Sequence, residues 1–495
     1  MEAGRDARRG SDRSRRDDLW LFFPFLAIVL CYAPVWLTEY GFAEDYRLLS
    51  LFDHGATNRT LMIAEGRPVA ALWTNLVHAH LSGIESLAML RLANVALLGV
   101  AAVLLATAWR RGGLAGREAA LAGAAVFTLP PFQITAATAA FTMIPPALVL
   151  SILAALLAAR AAAQDRLSAR SAELFLSFVL LALAMTAYQP AAMMFWAVAG
   201  LLLLLPEHEP RPFRRLMVGF LAVGFAAVVA GFAAYVIGKS IWPAELAGQG
   251  RARLSLNPIQ KGLWFISNPL VQSLNLWRLY PDRLLALAVA LGLEAGLAIQ
   301  LVRRTHGRLQ FAVALALVPL CYLPNLVVVE DWAAFRTQIA LVAVVFIYGV
   351  ISLGRLRSVA PRWIFPALLT CITAMGLGLA ATNVWRLCAV PQARELAMVR
   401  GRVAGLSPAY RSIGVVMAGA TQTFAPYSLW DEFGRMAVSF PWGVASLPYL
   451  ALRELRPGVD TSAIRVYDLA RDTVKVDTVL DWGRIMREER SADPR

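Results

Sequence analysis

Charge is almost missing from the long apolar runs of this chain. Apart from Arg91 and Glu294 their interiors hold nearly no ionisable group, and Glu173 and Arg336 stand at run ends. Lysine is scarce: of 47 basic residues, only Lys239, Lys261 and Lys475 are not arginine. Cysteine is scarce too. Cys31, Cys321 and Cys371 lie inside apolar runs and Cys388 just beyond the last, and no Cys-x-x-Cys or Cys/His cluster is present. That excludes a disulfide framework and a zinc site of the usual spacing. No repeat of fixed period occurs, and no low-complexity tract beyond the charged N-terminal arm, which excludes a solenoid.

Apolar surface dominates what remains. Of 495 residues, 58% are hydrophobic, well above a soluble domain's share, so the class is a polytopic membrane protein. The net charge of +14 invites a nucleic-acid partner, but the arginines sit in short tracts between apolar runs, where membrane topology places them. No nucleic-acid partner is expected.

A membrane helix needs about 20 apolar residues. Runs of that kind cover 19–37, 86–108, 119–138, 140–159, 172–189, 190–206, 216–238, 283–302, 309–329, 335–353 and 363–384. Alternate connections are basic: Arg110, Arg111 and Arg117; Arg160, Arg166 and Arg170; Arg211, Arg214 and Arg215; Arg303, Arg304 and Arg308; Arg355, Arg357 and Arg362. The turns at 138–143 and 188–190 carry no basic residue, and the turn near 330–336 carries only Arg336. About eleven spans with a cytoplasmic N-terminus satisfy the positive-inside rule. Arg5, Arg8, Arg9, Arg13, Arg15 and Arg16 fix that end inside, and the first run, long and without a small-x-small cleavage site, reads as an uncleaved anchor.

The domain plan is then a basic cytoplasmic arm (1–18), a multispan body (19–384) with long outer loops at 38–85 and 239–282, and a soluble outer domain (385–495). Pro68–His80 reads as an interfacial helix, and Trp242, Trp264, Trp277 and Tyr280 as headgroup-level anchors. In the tail, helical spacing over Ala393–Leu406 and apolar runs at Ser412–Gly419 and Ile464–Leu469 predict a small α/β unit. The fold class is thus all-α polytopic with a small C-terminal α/β extracytoplasmic domain, placed in the cytoplasmic (inner) membrane.

Under this topology four polar clusters reach the outer face. The pair Glu44-Asp45, with Arg47, stands seven residues past the first run; charge so close to a bilayer is usually retained for a task. A carboxylate there can take the proton from an attacking hydroxyl. Glu65-Gly66-Arg67-Pro68 brings a guanidinium, whose planar fork suits phosphate, beside two residues that equally well only punctuate a turn. Tyr188-Gln189 occupies a tight outer turn, where Gln189 can bond a sugar hydroxyl and Tyr188 also fits an interface anchor. In Glu330-Asp331-Trp332-Ala-Ala-Phe335-Arg336, the arginine heads an apolar helix, so its charge faces a cavity, headgroups or a phosphate. Each cluster alone fits a solvated turn, and their sharing of one face is the stronger signal. With no nucleotide supply on that face, a lipid-carried donor is the natural substrate.

Glu44-Asp45-Tyr46-Arg47, Gly66-Arg67-Pro68, Tyr188-Gln189, the Glu330–Arg336 segment and Asp431-Glu432-Phe433-Gly434, on a multispan body with an outer tail, resemble the GT-C superfamily of membrane glycosyltransferases. Within it the resemblance is to the O-antigen glucosyltransferases of the Gtr type II kind, which often carry Asp-Asp where this chain has Glu44-Asp45. It implies inverting transfer of a sugar, glucosyl in that family, from a polyprenyl-phosphate donor to a hydroxyl of a cell-surface glycan or glycolipid such as lipopolysaccharide. Asp45 would be the base, with Glu44 the second candidate. Arg47, Arg67 and Arg336 would hold the phosphate, and Tyr188, Gln189, Glu330 and Asp331 would bind substrate. No cofactor is implied, although paired carboxylates can hold a divalent metal. A flippase of lipid-linked substrates and a glycan polymerase or ligase are the competing functions. A flippase would show more charge inside its spans and internal repeats; a polymerase or ligase would move a whole oligosaccharide. Tyr427, Trp430 and Trp442 in the tail can pack on sugar faces or simply form its core.

Overall fold

Proline and apolar composition decide where the helices of this chain run and where they break. The computed structural model describes residues 20–53, 57–205, 210–241, 254–302, 304, 307–354, 356–427, 431–456, 464–470, 472 and 474–492. The basic arm, Trp242, Arg303, Arg355 and Trp430 lie outside the described residues.

Among the described residues, six helices are long and apolar enough to cross a membrane: Ser86–Arg111, Ala139–Ala162, Leu167–Ala187, Pro212–Ile241, Ile339–Val359 and Ile364–Ala404. A seventh crossing exists if Gly116–Val126 and Pro130–Ala137, bent 67° apart, are taken together. The expected eleven are therefore not reached by unbroken helices, and proline gives the reason. It removes an N–H and clashes with the preceding turn. Pro130-Pro131 make the 67° bend, and Pro34 follows the break that splits the first run into Phe23–Cys31 and Ala33–Leu37. Pro190 opens the short helix Gln189–Ala192 ahead of Met194–Leu204. Pro319 and Pro324 flank the step between Gly307–Leu320 and Leu323–Leu326. Arg283–Val302 is a further apolar helix of 20 residues.

The expected interfacial helix forms over Pro68–His78. Its Leu72 and Leu76 are exposed, while the Trp73 indole turns inward and donates to the Thr142 carbonyl and hydroxyl, each at 3.1 Å. That division of faces is what an amphipathic helix at a membrane surface requires.

The tail does not begin with a break. Ile364–Val384 passes through one wide turn at Trp385–Ala389 directly into Val390–Ala404. Beyond it stands a parallel three-stranded sheet of β1 (Ser412–Val416), β2 (Arg465–Asp468) and β3 (Thr478–Asp481), in the order β2-β1-β3. The third strand and the closing helix Trp482–Ala492 add to the two strands and one helix predicted there. The apolar cluster beneath this unit is shared. Phe42, Ala43, Tyr46 and Leu49 of the first outer loop pack in it with Leu396, Val399, Val438, Leu447 and Trp482. Apolar burial therefore helps join tail to loop.

One glycine in that loop is required by geometry. Gly66 has φ +74°, and a Cβ there would lie 2.8 Å from the Tyr235 Cα. Gly66→Ala is expected to lose more than about 1 kcal/mol from the left-handed backbone alone, before the contact with Tyr235 is counted. Thermal melting of the solubilised protein checks this against Gly378→Ala, where a Cβ meets nothing within 4 Å.

Candidate functional site

The helix Ala43–Asp53 carries both acids of the first pair in its first turn, where carboxylates favour the helix dipole. Asp45 closes that turn: its Oδ2 accepts the Phe42 N–H at 2.8 Å, the reach-back of a capping box. Its Oδ1 accepts the Ala140 N–H at 2.6 Å, across the connection between two membrane helices. Arg91, fully buried in the Ser86–Arg111 helix, stands with Nη1 4.0 Å from the same carboxylate. Its remaining donors go to the carbonyls of Val35 (2.6 Å), Tyr40 (2.8 Å) and Thr38 (3.0 Å), and the Tyr40 ring lies 3.8 Å from the guanidinium.

Asp45 is 1% exposed and does not line the cavity described next. Burial pushes its carboxyl up to about 6, against the pull of Arg91 and the backbone N–H groups. Asp45 is thus enclosed by the Phe42 and Ala140 N–H groups and Arg91. Glu44 is one residue away, about 100° around the helix, and faces open space.

That space is a cavity of about 710 Å³. Glu44, Arg47, Glu65, Arg67, Tyr188, Gln189, Glu330 and Arg336 all line it. Of the predicted residues only Asp45 and Asp331 are absent from its wall. Asp331 instead pairs with Lys261 at 2.6 Å, and the same ammonium donates to the Glu330 carbonyl at 2.8 Å.

Two guanidinium groups dominate the polar wall. Arg336 Nη1 lies 3.0 Å from Glu44 Oε1 and 2.5 Å from Glu432 Oε1, with the guanidinium 4.9 Å from the Phe141 ring centroid. Arg67 donates from Nε to Gln189 Oε1 at 2.9 Å, lies 3.3 Å from Glu65, and sits 5.3 Å from the Tyr188 ring centroid. Arg47 is exposed. A second wall is apolar: Val228, Val229 and Phe232 of the Pro210–Ile241 helix, with Leu254, Val327 and Val328. Val229 and Phe232 are each about half exposed, so this wall also faces the flank where lipid chains would lie.

Glu432 has no assigned role in the sequence reading, although the Asp431–Gly434 motif is part of the resemblance. Its motif folds against the membrane body. Asp431 accepts the Phe335 N–H at 2.6 Å, Phe433 meets Phe335 edge to face at 5.3 Å, and Gly434 N–H donates to the Leu387 carbonyl at 2.9 Å. Burial raises both acids, and at Glu432 the like charge of the neighbouring Asp431 adds to it. The sequence signal was an acidic pair beside apolar residues, but its partner Arg336 lies 96 residues away. Among the described residues, no three His, Cys, Asp or Glu side chains gather as a metal-binding group. The Arg336 guanidinium fills the gap between Glu44 and Glu432.

No protein-family description matches the chain, and no curated protein does. Among solved structures, the Archaeoglobus fulgidus oligosaccharyltransferase in its apo form is similar at 14% identity and a TM-score of 0.42, over 86% of this chain and 65% of that one. The same enzyme in complex with Zn and sulfate is similar at 12% identity and 0.42, over 87% and 61%. The chain thus spans less than two thirds of that enzyme's length. Similarity at this level is too low to carry fold or activity across.

The raised carboxyl of Asp45 has a thermodynamic consequence. Its folded value, about 6, exceeds its ordinary value of 3.8. The folded state therefore holds the proton more tightly, and this contribution to stability is complete below the ordinary value and lost as pH climbs through 6. Asp431 and Glu432 act in the same direction. The melting temperature of the solubilised protein is expected to fall between about pH 4.5 and about pH 7.5, and to fall less in Asp45→Asn.

Proposed function

We propose that this protein transfers a single sugar from a polyprenyl-phosphate donor to a hydroxyl of a glycan or glycolipid, at the outer face of the cytoplasmic membrane. The observation that carries the reading is the pairing of Glu44 with Arg336 inside one cavity that also holds Arg67 and opens along an apolar wall. A general base and a phosphate-binding cation are thereby brought to one place. The apolar side suits a lipid tail and the arginines suit its phosphate.

In this reading Glu44 is the base. When the donor phosphate reaches Arg336, the guanidinium exchanges its carboxylate partners for phosphate oxygens and Glu44 is released to accept the acceptor hydroxyl's proton. The hydroxyl oxygen bonds to the anomeric carbon from the face opposite the phosphate. The bond from that carbon to the phosphate oxygen breaks, its electron pair stays on the phosphate, and the configuration inverts. Arg336 and Arg67 stabilise the charge that builds on the departing oxygen, and Gln189 and Tyr188 fix Arg67. Asp45 contributes by holding the Glu44 helix. The glucosyl and O-antigen identities rest on the family resemblance alone, whereas the periplasmic setting of the tail and the count of eleven crossings, broken helices included, rest on hydropathy and the distribution of arginine.

Glu44→Gln is expected to cut transfer by about 10²- to 10⁴-fold, the range for a lost general base, with melting temperature and membrane level unchanged. Asp45→Asn replaces one of the two oxygens that accept the Phe42 and Ala140 N–H groups with an amide donor, at a cost of about 1–3 kcal/mol, and is expected to lower the melting temperature. Radiolabelled sugar transfer from defined polyprenyl-phosphate sugars in membranes measures the first, and scanning fluorimetry the second. Full transfer by Glu44→Gln, together with a folded but inactive Asp45→Asn, returns the base to Asp45.

Arg336→Lys keeps the charge and loses the planar fork. Transfer by this variant is expected to fall at least about 10²-fold. Translocation of donor lipid by reconstituted protein with no covalent product would identify a flippase instead. Loss of whole surface chains, rather than of one sugar's mass, would identify a polymerase or ligase.

A further inference from the structure

The helix Pro258–Phe265 runs through one wide turn at Ile266–Leu270 into Val271–Leu274, and its faces are the reverse of those of a helix in water. Ile259, Leu263 and Ile266, spaced i, i+4 and i+7, form an apolar stripe that is 76%, 65% and 59% exposed. Gln260, Ser267 and Asn268 are exposed beside it. Gln260 and Ser267 each stand one residue past a stripe position, about 100° around the axis. The single charge of the segment, Lys261, turns the other way. It is 5% exposed, donates to Asp331 at 2.6 Å and to the Glu330 carbonyl at 2.8 Å, and lies 4.4 Å from the Trp264 ring centroid.

A helix bathed in water turns its lysine out and its isoleucines and leucines in. Here the exposed surface has one apolar row and one neutral polar row, side by side. The surroundings of the helix say what meets the first row. Val271–Leu274 packs on Ile339–Leu353 and on Arg283–Val302. The latter is an apolar helix with Leu284, Leu287 and Leu291 exposed, so the stripe adjoins surface that belongs to the hydrocarbon layer. On the other side Leu254 pairs with Val328, and both line the apolar wall of the cavity. Three side chains fall far short of the roughly 800 Å² that a stable protein interface buries on each partner. A boundary between hydrocarbon and water provides for both rows at once.

We propose that Pro258–Leu274 lies in the interfacial layer of the membrane leaflet on the cavity's side, with Ile259, Leu263 and Ile266 among lipid acyl chains and Gln260 and Ser267 at the headgroups. Helices of this kind sink about 5–10 Å into the boundary between headgroups and chains. Lys261 carries the consequence inward, because its bonds to Glu330 and Asp331 tie the segment leading to Arg336 to a helix of fixed depth. The inference is independent of the sugar-transfer reading.

The test uses the full chain in vesicles of phosphatidylethanolamine and phosphatidylglycerol, in a Cys371→Ser background, because Cys371 is the exposed native cysteine among the described residues. Ile259→Cys, Leu263→Cys, Ile266→Cys, Gln260→Cys and Ser267→Cys are made singly and each carries a nitroxide. Collision with oxygen, which concentrates in hydrocarbon, is compared with collision with a water-soluble nickel chelate. The oxygen-to-nickel ratio is expected to be several-fold higher at the three stripe positions than at Gln260→Cys and Ser267→Cys. Scanning fluorimetry identifies the folded variants, and any one folded stripe variant decides the question. The inference is overturned if that variant meets the nickel chelate as readily as Gln260→Cys, the result for a helix in water. It is equally overturned if the nitroxide is shielded from both reagents, the result for a protein partner or a second copy of the chain.

Discussion

The buried contact between Asp45 and Arg91 is the constraint on which the outer half of the structure depends. Either charge alone in that position would cost several kcal/mol. Together, with three carbonyls and two backbone N–H groups, they leave few donors or acceptors idle. The arrangement pins the segment from Val35 to Asp45 to two membrane helices at once. Everything on the following helix inherits that position, including the direction in which Glu44 points.

A second junction lies at Arg336. Its guanidinium reaches a carboxylate from the first outer loop and one from the tail, while Asp431 fixes the backbone just before it. Three parts of the chain far apart in sequence thus share one cation. The like charges of Glu44 and Glu432 are tolerable near one another because Arg336 stands between them. An anion entering the cavity would compete with both acids for that one group, which ties binding to release of the proposed base.

Much of this was legible in the residues, for identifiable reasons. Hydropathy marks apolar helices directly because lipid leaves the backbone no other choice, and the acid and arginine clusters stand out against apolar neighbours. Continuity was less readable: period and length do not show how far Pro130-Pro131 or Pro319 bend a run. The placement of the two acids was hidden as well. Which of Glu44 and Asp45 turns inward depends on Arg91 and on the N–H of Ala140, contacts made across 46 and 95 positions of sequence. Glu432 escaped a role for the same reason, since nothing near it in the chain betrays Arg336.

The unbroken passage from Ile364–Val384 into Val390–Ala404 has a bearing on how the molecule is made. Glu432 comes from beyond that rod, 388 residues after Glu44. The proposed site is therefore incomplete until residue 432 has been made and has reached the cavity. A chain truncated before it can seat every earlier helix and still lack one of the two acids that hold Arg336, so its cavity would be unfinished.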